Sequence, residues 1–148
     1  MSGGGPMRMQ EMIVLRAVAK LLIPLILLFA LYVQFHGDYG PGGGFQAGVI
    51  FAAGLILYGL IFGLDQLKRV VPQWVVEVLI AVGVLLFGVT GLVSLFRHGH
   101  YLDYCALNHH HPAHGQHVGI ILVELGVGIC VAATMTAIYY ALAGRGRR

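Results

Sequence analysis

VLIAVGVLLFGVTGLVSLF, residues Val78–Phe96, is an uninterrupted run without a charged side chain. A helix of about 20 apolar residues crosses a hydrocarbon core of roughly 30 Å, so this stretch is long enough to span a bilayer. Three further uncharged runs, Leu21–Gly37, Tyr39–Leu64 and Leu125–Gly144, are of similar length. The pattern predicts an all-α integral membrane protein with four transmembrane helices, near Ile13–Phe35, Phe45–Leu64, Gln73–Phe96 and Val118–Leu142. They form one membrane domain over residues 11–144. A Gly-rich start, Met1–Gln10, is expected to be disordered, and residues 145–148 form a basic tail. Composition agrees: 58% of the chain is apolar and 10% charged, against about 25% charged in a soluble domain. Mean hydropathy is +0.83. These values exclude an independent soluble enzyme, and the net charge of +3 resides on residues flanking apolar runs, which argues against a nucleic-acid partner.

The basic residues set an orientation. Arg8, Arg16, Lys20, Lys68, Arg69, Arg145, Arg147 and Arg148 belong to the N-terminus, the second loop and the C-terminus, and Arg97 alone to the other two loops. By the positive-inside rule both termini are expected in the cytoplasm. The loops His36–Gly44 and Arg97–Gln116 then face outward and carry or adjoin all eight histidines. Cys130, within the fourth span, and Cys105, in the outer loop, are too far apart in depth to pair.

Between helices in lipid, close packing of small residues replaces the hydrophobic drive. Gly48, Ala52, Gly59 and Gly63 make such a face on the second span, Ala81, Gly88 and Gly91 on the third, and Gly128 and Ala132 on the fourth. They either close a four-helix bundle or receive helices from other subunits. Pro24 is expected to kink the first span and free a backbone carbonyl.

Three residues are candidates for an ion or proton path. Glu124 enters the membrane about six positions into the fourth span, and an intramembrane carboxylate is costly enough to mark a functional site. Its alternative role is a hydrogen-bonding group joining helices. Glu77 lies near the inner end of the third span and either conducts or is a solvated carboxylate paired with Lys68 or Arg69. A vertical separation of roughly 15 Å between the two acids, half of a ~30 Å core, leaves no direct relay. If Pro112 starts a helix, His114 and His117 share a face, and His117 stands two turns before Glu124 on it. The outer histidines, His109, His110, His111 and His114 among them, are open to three readings: a solvated loop, a proton or cation entry, or a metal site. None has zinc-finger spacing, and no cofactor is expected.

The string His36-Gly37-Asp38-Tyr39-Gly40-Pro41-Gly42-Gly43-Gly44-Phe45-Gln46-Ala47-Gly48 joins the first two spans. By composition it is a tight turn, or a nest of N–H groups before a helix, and it lacks the lysine and hydroxyl of a phosphate loop. Together with Arg16, Pro24 and the Glu124-Leu125-Gly126-Val127 segment, it resembles the MnhB-type subunits of the Mrp (Mnh, Pha) multisubunit cation/proton antiporters. The resemblance covers roughly Met12 to Tyr140. Ala47 stands where the family carries glycine, and the histidine-rich loop is outside the pattern. The resemblance implies a transporter subunit, not an enzyme, in the bacterial cytoplasmic (inner) membrane, multi-pass and assembled with other antiporter subunits that together exchange Na⁺, Li⁺ or K⁺ for protons. Two alternatives are a structural subunit of a related hydrogenase or complex-I-like redox complex, and an outward-facing metal-binding membrane protein.

Overall fold

The computed structural model describes residues 12–37, 42–96 and 112–145. Its elements are α1 (Ile13–His36), α2 (Gly44–Phe62), the short α3 (Leu64–Val70), α4 (Gln73–Phe96) and α5 (Pro112–Arg145). Four of them, α1, α2, α4 and α5, are long and apolar enough to cross a membrane. Apart from short stretches at helix ends, the described residues are helical.

Two boundaries differ from the sequence expectation. The second span stops at Phe62, because Gly63 adopts φ 99° and ψ 151°, a conformation that a Cβ disfavours. Beyond it lies a separate helix, α3, with Asp65 in its first turn and Lys68 and Arg69 in its last, the arrangement its dipole favours. Leu64 and Leu67 are buried, whereas Asp65, Gln66 and Arg69 are exposed, so α3 is amphipathic. The other difference is α5, which begins at Pro112 instead of Val118 and has 34 residues. Pro fits the first position of a helix, where no N–H bond is lost. At ~51 Å, α5 is longer than a ~30 Å hydrocarbon core. Helix α1 is continuous through Pro24, whose missing N–H leaves the Lys20 carbonyl without its usual helical donor.

The long helices pack in the order α1, α2, α5, α4, with only a slight contact between α1 and α5, and α3 lies across the end of α2 and α5. The sequence left a closed bundle possible; the arrangement is an open row. Between 17% and 33% of the most apolar stretch of each span is buried against the rest of the chain. The remaining apolar surface faces outward from the chain. Small residues set the crossings, as expected, but not all of those named. Gly48, Ala52 and Gly59 of α2 are buried. On α4, however, the face turned to α5 carries Val76, Gly83 and Thr90, which recur every seven positions and are all buried. Ala81 is exposed and Gly88 has nothing within 4 Å of its β position, so these two are left uncovered by this chain, whereas Gly91, named with them, is buried.

At one end the core is apolar and aromatic. Leu64, Leu67, Val76, Ala133 and Tyr140 are buried together, and the Tyr140 hydroxyl donates to the Val71 carbonyl at 2.6 Å. Lys68 Nζ lies 5.5 Å from the centre of the Tyr140 ring and the Arg16 guanidinium 5.4 Å from that of Phe62. These cation–π contacts tie basic side chains to α2 and α5. Replacing Tyr140 with Phe is expected to lower stability by about 0.5–1.5 kcal/mol, measured by reversible unfolding in mixed micelles. An unchanged unfolding curve would show that the hydroxyl does not hold the α3–α4 turn.

Candidate functional site

At the opposite end, α5 approaches the turn between α1 and α2. The local reason is the spacing in Glu124-Leu125-Gly126-Val127-Gly128. Residues four apart share a helix face, and residues two apart are turned by roughly 200°. Glu124 and Gly128 therefore face α1 and α2, while Gly126 faces α4. A β carbon on Gly126 would lie 3.0 Å from the Gly83 carbonyl oxygen, and one on Gly83 would lie 2.7 Å from the Gly126 carbonyl oxygen. Helix α5 thus touches backbone on both sides.

On the α2 side the contact is closer still. A β carbon on Gly44 would overlap the Glu124 carbonyl oxygen, and one on Gly48 would fall 2.7 Å from that of Gly128. The Glu124 side chain continues past this crossing into the turn. Both of its carboxylate oxygens lie 2.7 Å from where a Gly37 β carbon would be, and Oε1 lies 3.2 Å from the corresponding point on Gly43. Gly43 has φ 123° and is the N-cap of α2, a second position that favours glycine. Its N–H donates to the Val33 carbonyl at 3.3 Å, tying the start of α2 to the last turn of α1. A β carbon on Gly42 would come within 2.9 Å of the same carbonyl oxygen. Each glycine thus admits a backbone or carboxylate oxygen.

The electrostatics follow from position. The first N–H groups of a helix have no intrahelical acceptor and carry partial positive charge. Glu124, partly buried, places its carboxylate beside Gly37 and Gly43 at that end of α2. An acid so placed gains roughly 0.3–1 kcal/mol, and up to ~2 kcal/mol when partly buried. The group can accept hydrogen bonds, take up a proton, or bind a small cation.

The other expected site residues fall in different places. Phe45 and Gln46 are exposed on the first turn of α2, with Gln46 Oε1 3.5 Å from the β position of Gly43. His36 stacks on Tyr32 with ring centres 5.1 Å apart, and Tyr32 is exposed. His117 is partly buried on α5, two turns before Glu124 and on its face. Pro24 is exposed, more than three turns below Gly37 on α1. Glu77 is at the other end. It is exposed and accepts a hydrogen bond from Gln73 Nε2 at 3.0 Å, so the pairing expected with Lys68 or Arg69 is not formed; Lys68 is engaged with the Tyr140 ring instead. Glu77 lines a small cavity with Tyr140 and Ala141, and from Glu124 to Tyr140 helix α5 rises roughly 24 Å. Pro41, His109, His110 and His111 lie outside the described residues, as does the side chain of His114. Among the described residues no three His, Cys, Asp or Glu side chains gather as metal ligands would.

One residue was not anticipated. Gln34 on α1 is 7% exposed, and its amide oxygen presses on Gly128. Gly37 follows Gln34 by three residues and Gly128 follows Glu124 by four. The α1–α5 contact is therefore reciprocal, with one polar side chain from each helix seated on a glycine of the other. The signal available in the sequence was a lone amide in an otherwise apolar run, one turn before Gly37.

Four apolar spans, one of them carrying an acid bedded in a glycine turn, define the class as a multi-pass membrane protein. Residues 14–137 match a family described as a domain related to the MnhB subunit of Na⁺/H⁺ antiporter. The chain is 33% identical over 134 residues to a Staphylococcus aureus (strain Newman) protein named as an antiporter subunit, mnhB2; this covers 89% of the chain and 94% of that relative. It is 34% identical, with the same coverage, to the protein so named in Staphylococcus haemolyticus (strain JCSC1435). The chain belongs to the MnhB-related family.

The α2–α5 crossing yields a test. Gly44→Ala is expected to cost about 1–3 kcal/mol through overpacking, because the added methyl meets helix backbone and not a movable side chain. Unfolding in mixed micelles measures it. Wild-type stability in that variant would mean that the two helices can separate freely.

Proposed function

We propose that this chain is a small membrane subunit of a multisubunit secondary cation/proton antiporter, supporting exchange of Na⁺, Li⁺ or K⁺ for protons in the bacterial cytoplasmic membrane. Glu124 borders the ion path at the outer end of the chain. The observation that carries this reading is the seat of the Glu124 carboxylate at the N-terminus of α2, against Gly37 and Gly43. There it is held by backbone, and part of its residue surface remains open to a neighbour. The basic residues Arg16, Lys20, Lys68, Arg69 and Arg145 collect at the other end, which the positive-inside rule assigns to the cytoplasm together with both termini. In this reading His117, two turns nearer the outer surface, passes protons towards Glu124.

The chain has too few polar groups to complete a path alone. Glu77 is roughly 24 Å away along α5, and the buried hydroxyls of Thr90 and Thr136 are turned back on the carbonyls of Leu86 and Ala132. Other subunits must therefore supply the middle of the route. Cation choice would follow from their coordinating oxygens.

A second reading has its own observation. The glycines leave no β carbon between the Glu124 carboxylate and the turn, so the acid is also shaped to clamp α5 onto α1 and α2. Glu124→Gln distinguishes the two, since it keeps size and hydrogen bonding and removes the charge. For a path residue, antiport in inverted vesicles is expected to fall by at least about ten-fold, a barrier change of roughly 1.4 kcal/mol, with the complex intact. Full exchange by Glu124→Gln, with loss of assembly only in Glu124→Leu, would leave the clamp alone. Gly43→Val, which strains the N-cap of α2, is expected to lower the amount of neighbouring subunits that co-purify and leave the cation concentration for half-maximal exchange unchanged. Undiminished co-purification would count against a role of the turn in assembly.

A further inference from the structure

Where the first turns of α1 lie on the last turns of α2, a cavity of about 520 Å³ opens between them, lined by Arg16 and Lys20 of α1, Tyr58, Ile61 and Phe62 of α2 and Gln66 of α3. Its volume falls within the roughly 300–1,000 Å³ of small-ligand sites. Among the described residues, two cations, a phenol and an amide line it, and no carboxylate does. Arg16 and Lys20 are four apart on α1 and so stand on one face, with Lys20 about 6 Å deeper in the membrane. Like charges at that spacing repel, and an ammonium more than two residues into a span has to reach back towards the headgroups. An anion seated between the two relieves both costs.

The aromatic side of the cavity prepares Arg16 for such an anion. Its guanidinium lies over the Phe62 ring, 5.4 Å from the centre, and Phe62 packs against Tyr58 with ring centres 4.8 Å apart. A stacked guanidinium keeps its N–H edge for an oxyanion, and its five donors serve more than one partner. A phosphate has enough oxygens to bridge Arg16 and Lys20 and still accept from the hydroxyl and amide beside them. Free phosphate would leave Ile61 and Phe62 against water, whereas a phospholipid covers them with glycerol and chain. One turn beyond Lys20 on the same face of α1 stands Pro24, exposed and without an N–H, which gives an acyl chain an apolar bed. The positive-inside rule sets this end in the cytoplasmic leaflet, where basic pockets between helices gather anionic lipid.

We infer that this cavity holds the phosphate headgroup of an anionic phospholipid, bridged between Arg16 and Lys20, with an acyl chain running along α1 past Pro24. The site depends on the spanning fold alone, not on the ions exchanged. A lipid held there offsets the repulsion between the two cations and fastens the start of α1 to α2 and α3.

Photolabelling of the intact complex in nanodiscs tests this, with phosphatidylglycerol and phosphatidylcholine that carry the same diazirine acyl chain and adducts mapped by mass spectrometry. Phosphatidylglycerol is expected to label α1 and α2 several-fold more than phosphatidylcholine. Lys20→Gln, at an exposed position, should remove that preference. Arg69→Gln, an exposed basic residue outside the cavity, should leave it intact, and so should an excess of inorganic phosphate. Equal labelling by the two lipids, or a preference that survives Lys20→Gln, would overturn the inference. So would a preference lost equally in Arg69→Gln, which would reduce the attraction to diffuse surface charge, or displacement by inorganic phosphate, which would give the cavity to the free ion.

Discussion

The direct meeting of α2 and α5, backbone on backbone at Gly44 and Gly48, is the constraint on which the rest of the site depends. Helices in lipid gain little from burying apolar side chains against one another, because the solvent they leave is itself apolar. Their cohesion comes from close approach, and glycine gives the closest. Once Gly44 lies on the Glu124 carbonyl, the side chain of Glu124 has only the α1–α2 turn to enter. That turn in turn needs Gly43 at φ 123° and the absence of a side chain at Gly37. Packing, backbone conformation and acid position are one arrangement, and a methyl group at any of several points disturbs all three.

Helix α5 joins two dissimilar ends. Near Tyr140 the contacts are aromatic and cationic, with Val71 bonded to the hydroxyl and Lys68 over the ring. Around Glu124 they are polar groups on bare backbone. The first kind tolerates adjustment, because long side chains can shift; the second does not, because backbone cannot. Glu124 thus sits at the unyielding end, away from the amphipathic helix α3.

Much of this is legible in the sequence. Uncharged runs of spanning length give four helices, since hydrocarbon admits almost no other backbone arrangement. The Pro-Gly-Gly-Gly string and Glu124 are each recognisable, one by its unusual composition and the other by the cost of an acid in lipid. Their meeting is not, because residues more than 80 positions apart have no local pattern that pairs them; only Gly126 and Gly128, two apart and therefore facing opposite ways, hint that α5 has a neighbour on each side. The break at Gly63 is hidden inside an apolar run that continues through Leu64. Small residues suggest a face on α4 that includes Gly88, yet Gly88 is bare and Gly83 makes the contact, since small size permits close packing without saying which helix arrives. Gln34 escapes notice because one amide near a helix end resembles an interfacial residue until the glycine beneath it is seen.

The order α1, α2, α5, α4 has a further meaning for permeation. Spans set side by side in single file make a palisade, and a palisade encloses no lumen. If the proposed function holds, whatever crosses the membrane would slip along a flank of this chain, between it and a different polypeptide. The selectivity of such a passage would then belong to the seam between two gene products, and neither sequence alone would spell it out.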